Sequence, residues 1–183
     1  QALVHSLSSC TQYSIKTYTS PLRYNRKMSV RGFVHLHVHS HYSLLEALPK
    51  ISDLVEAAKK DGQTALALTD NGNLYGAIEF YKECVEAGIK PIIGVDFFVA
   101  PRTRNDKEHR VDDRMSRLVL LARTMQGYEN LLQLVSRSYL EGFYYRPRLD
   151  RELIEQYQEG LIAILPSFSG GHARAIADGN DEK

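Results

Sequence analysis

The stretch Val34-His35-Leu36-His37-Val38-His39-Ser40-His41 decides how the rest of the chain is read. Four of the seven histidines fall there on alternate residues, with Leu36 and Val38 between them and Val34 just before. A strand has a side-chain period of two. An extended Val34–Ser40 segment therefore turns the imidazoles to one face and an apolar row to the other. The apolar row can enter a core while the imidazoles line a site. Imidazoles one strand step apart stand about 6.5 Å apart along the backbone, and a metal–nitrogen bond is about 2 Å, so neighbours can converge on one cation. A solvated edge strand with unrelated histidines is the plain alternative, but it gives no reason for the apolar row.

Outward from this stretch, strand and helix patterns alternate from Gly32 onward. Strand one is Phe33–Ser40. A helix follows with Ser52 as its N-cap, Ile51, Leu54, Val55 and Ala58 on one face, and Gly62 at its end. Strand two, Thr64–Thr69, is bounded by the turn-forming Asp70-Asn71-Gly72-Asn73. The next helix carries Leu74, Ala77, Ile78, Tyr81 and Val85 and stops at Gly88. Strands are predicted at Pro91–Ala100 and Leu118–Ala122. A helix with Leu131, Leu132, Leu134 and Val135 comes next, then a helix starting near Asp150, then strand five at Leu161–Leu165. Such alternation predicts an α/β fold with parallel pairing through right-handed crossovers. Function in these folds collects at the C-terminal ends of strands. His37 and His39 end strand one, Asp70 follows strand two and Asp96 lies in strand three, so three strands bring ligand-type side chains to one mouth. Alone, Asp70 reads as a turn former and Asp96 as a hydrogen-bonding carboxylate. Their shared position with the histidines makes the case for a metal site.

Composition bounds the rest. With 43% hydrophobic and 25% charged residues among 183, the chain is globular, one ordinary domain or part of a larger one. No apolar run approaches the ~18 residues of a membrane span. A net charge of +1 makes no general electrostatic case for nucleic acid. Cys10 and Cys84 are too isolated for a disulfide framework, which fits a reducing, cytoplasmic setting. Residues 1–27 carry Lys16, Arg23, Arg26 and Lys27 and no acid, a charge of +4; the remaining 19 basic residues face 22 acidic ones, about −3 for Met28–Lys183. Residues 1–30 are expected to be a basic, disordered extension, and residues 31–183 the N-terminal portion of a folded domain. The extension lacks the apolar centre of a secretory signal, and it loosely resembles an organelle transit peptide in composition. Met28 is the plainer candidate for a natural start.

The segment His37-Val38-His39-Ser40-His41-Tyr42-Ser43 resembles the H-x-H-x-x-x-S opening motif of the PHP (polymerase and histidinol phosphatase) family. Leu68-Thr69-Asp70-Asn71-Gly72-Asn73-Leu74-Tyr75-Gly76-Ala77 is similar to the family's T-D-H-G-N-L-x-G-A segment. Gly88-Ile89-Lys90-Pro91-Ile92-Ile93-Gly94-Val95-Asp96 is similar to its G-I-K-P-I-x-G-x-E. Gly127-Tyr128-Glu129-Asn130-Leu131 and Ser138-Tyr139-Leu140-Glu141-Gly142-Phe143-Tyr144 complete a series typical of the N-terminal PHP domain of bacterial DNA polymerase III alpha subunits. The resemblance covers about residues 31–166.

This resemblance implies a PHP-type (β/α)7 barrel, here truncated after about five strands, with up to three metal ions. Position by position it puts His37, His39, Glu46, Asp70 and Asp96 at ligand positions and assigns no catalytic residue. Glu46 stands where Asp is common, and Ala47 replaces the glycine after it. Asn71 stands in for a ligand histidine, Asp96 is one methylene shorter than the usual Glu, and Arg117 falls where another histidine is expected. No cysteine occurs in Leu165-Pro166-Ser167-Phe168 where one is common. A neutral amide is a weak ligand, and an Arg cation repels an ion. Hydrolysis at a cluster needs ions held close enough to clamp both attacking and leaving oxygens.

The expected function is therefore the N-terminal PHP domain of the catalytic alpha subunit of a bacterial replicative polymerase. It is expected to be a degenerate metal-site scaffold rather than an active phosphoesterase, with Zn²⁺ or Mn²⁺ weak or absent. The parent chain implied is a DNA-directed DNA polymerase, a nucleotidyltransferase using Mg²⁺, with palm carboxylates beyond Lys183. Its implied partners are the rest of that chain, replisome subunits such as a proofreading exonuclease, and DNA, with no membrane. The alternative is a stand-alone, histidinol-phosphatase-like PHP phosphoesterase. A third reading, a nucleic-acid module using Arg102, Arg104, Lys107 and Arg110, is countered by Asp106, Glu108, Asp112 and Asp113, which make that loop a solvated surface segment.

Overall fold

One long strand carries the architecture. The structure is a computed structural model that describes residues 32–166 together with Gly170 and Ile176. Its elements are α1 (Ile51–Lys60), β1 (Ala65–Leu68), α2 (Ala77–Ala87), β2 (Lys90–Val99), β3 (Ser116–Ala122), α3 (Met125–Leu140), β4 (Arg148–Leu149), α4 (Arg151–Gln156) and β5 (Leu161–Ile164). The basic extension expected at residues 1–30 lies outside the described residues. β1 pairs in parallel with the first half of β2, from Ala65↔Lys90 to Leu68↔Ile93. β4 pairs in parallel with the end of β2, where Phe98 faces Arg148 on one side and Arg117 on the other. The result is a five-stranded mixed sheet of order β1-β2-β3-β5 with β4 beside β2.

The uniformly parallel pairing predicted from the strand–helix alternation is corrected here. β3 runs antiparallel to β2, and β5 antiparallel to β3. The segment 100–115 contains no helix, so the chain turns back instead of crossing over, and a direct return produces an antiparallel neighbour. Among the described residues the sheet path has two ends and is not a closed barrel.

Strand one also departs from expectation. Phe33–Ser40 forms no ladder; two of its carbonyls reach β1 and the residue after it, His35 O accepting from Ala67 N at 2.9 Å and Val38 O from Thr69 N at 2.8 Å. Three residues on one side thus span two on the other, and the chain bends at His37. Thr69 Oγ1 replaces a backbone partner by accepting from Val38 N at 2.9 Å. The period of two is broken, so the four imidazoles part company. His37 and His39 turn toward β2, His35 lines a shallow groove with Val38, Leu54 and Leu66, and His41 packs on Tyr42 with ring centroids 4.3 Å apart.

Two apolar clusters fix the helices. Ile51, Val55 and Ala58 of α1 meet Leu66, Leu68, Phe80, Cys84 and Ile89. Val95, Phe97, Leu120, Leu131, Leu134, Leu149 and Leu153 form the second cluster beneath α3 and α4. Fully burying a side chain of this kind contributes about 1.5–3 kcal/mol. The N-cap of α1 is Lys50 in an extended conformation, not Ser52, which lies in the first turn. α2 buries Ala77, Phe80 and Cys84, whereas the predicted Ile78, Tyr81 and Val85 face out at 55–61% exposure. On α3, Leu131 and Leu134 are buried and Leu132 is exposed. α4 starts beside Asp150 as expected, and Asp150 caps it by accepting from Leu153 N at 3.0 Å.

The charged loop between β2 and β3 is organised from inside. Arg148 of β4 is fully buried and donates to the carbonyls of Gly142 (2.9 Å), Asp112 (3.2 Å), Arg104 (3.0 Å) and Asp106 (2.9 Å). Arg102 pairs with Asp112 and Glu108, and Arg104 with Asp150, Glu141 and Glu152. Two of the four cations that could have met nucleic acid are thus neutralised within the fold.

Candidate metal centre

β2 delivers Asp96 to the C-terminal side of β1, 2% exposed. Register does the rest: Phe98 pairs with Arg117 and Asp96 with Val119, so Arg117 lies diagonally across from Asp96 on the same face. Arg117 grips the carboxylate with a two-pronged fork, Nε to Oδ1 at 2.9 Å and Nη2 to Oδ2 at 2.6 Å. Such bidentate, charge-assisted pairs are the strong class of hydrogen bond. His37 Nε2 reaches the same Oδ2 at 2.7 Å, and His39 Nε2 approaches it to 3.3 Å without hydrogen-bond alignment. Burial works against ionisation of Asp96, but His37, His39 and Arg117 together outweigh it and hold the carboxyl far below the usual carboxylate range.

A polar chain leads outward from this point. Arg117 Nη2 also donates to Asn71 Oδ1. Asn71 Nδ2 donates to Glu46 Oε2 at 2.6 Å, and Arg146 Nη1 donates to Glu46 Oε1 at 2.6 Å. Both guanidiniums lie over the Phe98 ring, Arg117 at 4.2 Å and Arg146 at 4.8 Å from its centroid. Nothing in the sequence marked Arg146 or Phe98, because their roles depend on strand register rather than on spacing along the chain.

The candidate residues therefore separate into groups. His37, His39 and Asp96 offer ligand atoms within 4.8 Å of one another. Asp70 is buried and its oxygens are taken: Oδ1 accepts from Ser40 N and Ser43 Oγ, each at 2.7 Å, and Oδ2 from Ser40 Oγ at 2.8 Å. Its carboxylate ties the bent first segment to the end of β1. Glu46 is engaged by Asn71 and Arg146, outside the three-residue group. Asn71 and Arg117, the two positions where the family pattern has a ligand histidine, bond to each other.

Two imidazoles and a carboxylate suit a single Zn²⁺ or Mn²⁺ ion in chemistry. They do not fit a resident one here, because the Arg117 guanidinium already sits on the carboxylate oxygen that both histidines approach. Among the described residues no other group of three or more His, Cys, Asp or Glu ligands comes together.

Comparison with known proteins agrees with this placement of motifs. The PHP domain family matches residues 35–183. DNA polymerase III subunit alpha of Borreliella burgdorferi is 53% identical over 151 residues, 81% of this chain and 13% of that protein. The Treponema pallidum subunit is 49% identical over 78% of this chain and 12% of its own length. That of Thermus aquaticus is 46% identical over 72% and 11%. The chain thus spans about an eighth of the length of these curated relatives. An amidohydrolase structure from Chromobacterium violaceum aligns with TM-score 0.41 and 20% identity over 56% of this chain and 32% of its own, too slight a likeness to bear on function. Its motifs and a family match running from His35 to the last residue place the chain in the PHP domain family.

Proposed function

We propose that this chain is the N-terminal PHP domain of a bacterial replicative DNA polymerase alpha subunit, acting as a scaffold and not as a phosphoesterase. The polymerase assignment is supported by 53% identity over 81% of the chain to an alpha subunit. The scaffold assignment is carried by the Arg117 fork on Asp96. A permanent cation on the central carboxylate opposes a catalytic ion, most strongly at a site this buried. Glu46 and Asp70 keep inherited ligand positions but serve hydrogen bonds. At most one Zn²⁺ or Mn²⁺ ion binds, weakly, at His37, His39 and Asp96. In this reading further strands complete a (β/α)7 barrel, DNA synthesis with Mg²⁺ belongs to palm carboxylates elsewhere in the parent chain, and the protein works in the cytoplasm. Its partners are the rest of that chain, replisome subunits such as a proofreading exonuclease, and DNA held by the parent chain. No helix among the described residues is long and apolar enough to cross a membrane.

The test is a phosphoesterase assay of the pure chain on labelled single-stranded and duplex oligonucleotides and on p-nitrophenyl phosphate, with Mn²⁺ or Zn²⁺. No hydrolysis above the metal-only background is expected, nor any nucleotide incorporation. Hydrolysis that disappears in His39→Ala would refute the scaffold reading and favour a histidinol-phosphatase-like enzyme.

A further inference from the structure

We propose that Arg117 is a tethered replacement for a bound metal ion: its guanidinium supplies, from within the chain, the cation around which His37, His39, Asp96 and Asn71 are assembled. The inference rests on the scaffold reading above and adds what keeps such a site intact.

Position is the first argument. Arg117 Nη2 lies 2.6 Å from Asp96 Oδ2, the oxygen that His37 approaches to 2.7 Å and His39 to 3.3 Å. One guanidinium and one hydrogen-bonded imidazole thus share one carboxylate oxygen with a second imidazole close by, so the guanidinium takes the oxygen that an ion held by His37, His39 and Asp96 would need. Charge balance is the second. Asp96 and Glu46 supply two negative charges, and Arg117 and Arg146 two positive ones, so the network is neutral without an ion. Adding a divalent cation would leave its charge uncompensated beside the buried Asp96.

Geometry is the third argument. A planar fork can hold both oxygens of Asp96 and still spare a donor for Asn71, and a flat guanidinium can lie on Phe98. A lysine, a compact point charge, has neither the planar fork nor the flat face. The side chain of Arg117 is 15% exposed and that of Asp96 2%. Burying a charged pair carries a desolvation cost that well-packed apolar residues would avoid, so the pair is not a cheap route to stability.

The experiment follows thermal unfolding of the whole chain by circular dichroism, with EDTA, Zn²⁺ or Mg²⁺ alone. Wild type should be indifferent to EDTA and to micromolar Zn²⁺. Arg117→Ala should unfold about 10 °C lower, and Zn²⁺ but not Mg²⁺ should restore at least half of the loss, because two imidazoles and a carboxylate are then free to take it. Arg117→Ala with His39→Ala should not respond. If Arg117→Ala does not fold unaided, its refolding is attempted with Zn²⁺: folded protein with Zn²⁺ and none with Mg²⁺ supports the proposal. A wild-type melting temperature lowered by EDTA overturns it, and so does an Arg117→Ala protein that Zn²⁺ neither stabilises nor helps to fold. Hydrolysis by wild type would instead overturn the scaffold reading, so the two failures are distinct.

Discussion

Replacing Arg148 by Met asks how much of the β2–β3 connection is held by one buried guanidinium. The substitution keeps an unbranched stem of similar reach and removes four donors to the carbonyls of Gly142, Asp112, Arg104 and Asp106. Hydrogen bonds to a charged group contribute about 1.5–3 kcal/mol each, so four would nominally supply ~6–12 kcal/mol. That approaches the ~5–15 kcal/mol of an entire domain, and two effects reduce it. Burial disfavours the charged guanidinium, a cost from which Met is exempt. The carbonyls of Arg104 and Asp106 belong to residues that are only partly buried and can turn to water, whereas Gly142 and Asp112 are buried. Two orphaned carbonyls at about 1–3 kcal/mol each, with ~1 kcal/mol for the contact to Tyr144, leave a net loss of about 4 kcal/mol. For a domain of this size that is a fall in melting temperature of about 8–16 °C. Arg148→Lys, with three donors, should lose about half as much. Urea unfolding gives the energy, and trypsin cleavage at Arg102, Arg104, Lys107 and Arg110 reports the loop. An Arg148→Met protein within about 1 kcal/mol of wild type, with an unchanged cleavage pattern, would show that the loop is held by its own ion pairs instead.

Acid should unfold the domain in a definite window. Arg102 holds the Asp112 carboxyl at about 2, and Asp96, Asp106, Asp150 and Glu141 also lie below their ordinary values. Each group is depressed in the folded state, so its contribution is complete above the unfolded carboxylate range near pH ~4 and is lost as pH falls toward ~2. Melting temperature should be flat above pH ~5 and fall steeply below pH ~4, less steeply in Asp112→Asn; a flat profile down to pH ~2.5 would contradict these shifts. Asp70→Ala removes three hydrogen bonds from Ser40 and Ser43 and should cost about 3 kcal/mol, with faster amide exchange at residues 40–47. A loss under ~0.5 kcal/mol would mean that Asp70 is free for a ligand role instead.

The sequence pattern was most legible where local chemistry and tertiary packing agree. β1 and β2 fall where alternation with helices places them, a helix starts beside Asp150, and His37, His39 and Asp96 come within reach of one another. Two stripes of α2, Ala77-Phe80-Cys84 and Ile78-Tyr81-Val85, both satisfy helical spacing, and the expected face mixes them: Ala77 is buried as predicted, whereas Ile78, Tyr81 and Val85 are exposed. Only packing against Ile51 and Leu68 selects the first. The direction of β3 was recoverable in principle, since residues 100–115 contain no helical pattern and a parallel partner needs a crossover. The first segment was not recoverable, because a threonine hydroxyl one strand away displaces its backbone pairing. Asp70 carries the same motif whether it binds an ion or serines, and its contacts with Ser40 and Ser43 are visible only in three dimensions. A fully buried Arg148 likewise contradicts the usual exposure of arginine, and no spacing rule announces it.

The pairing of β2 with three partners shapes how the chain can fold. The β2–β3 contacts close only the 100–115 loop, whereas joining β1 to β2 waits on α2 as a crossover, and β4 arrives after the whole of α3. Loop-closure entropy therefore favours the antiparallel pair as the first long-range structure. Truncations at Val95, Phe97 and Leu120, all buried there, should slow refolding, while truncations at Leu149 or Leu153 should act mainly by hastening unfolding. The fork of Arg117 on Asp96 spans the same two strands, so the side chains that close the site come together in the step that begins the sheet.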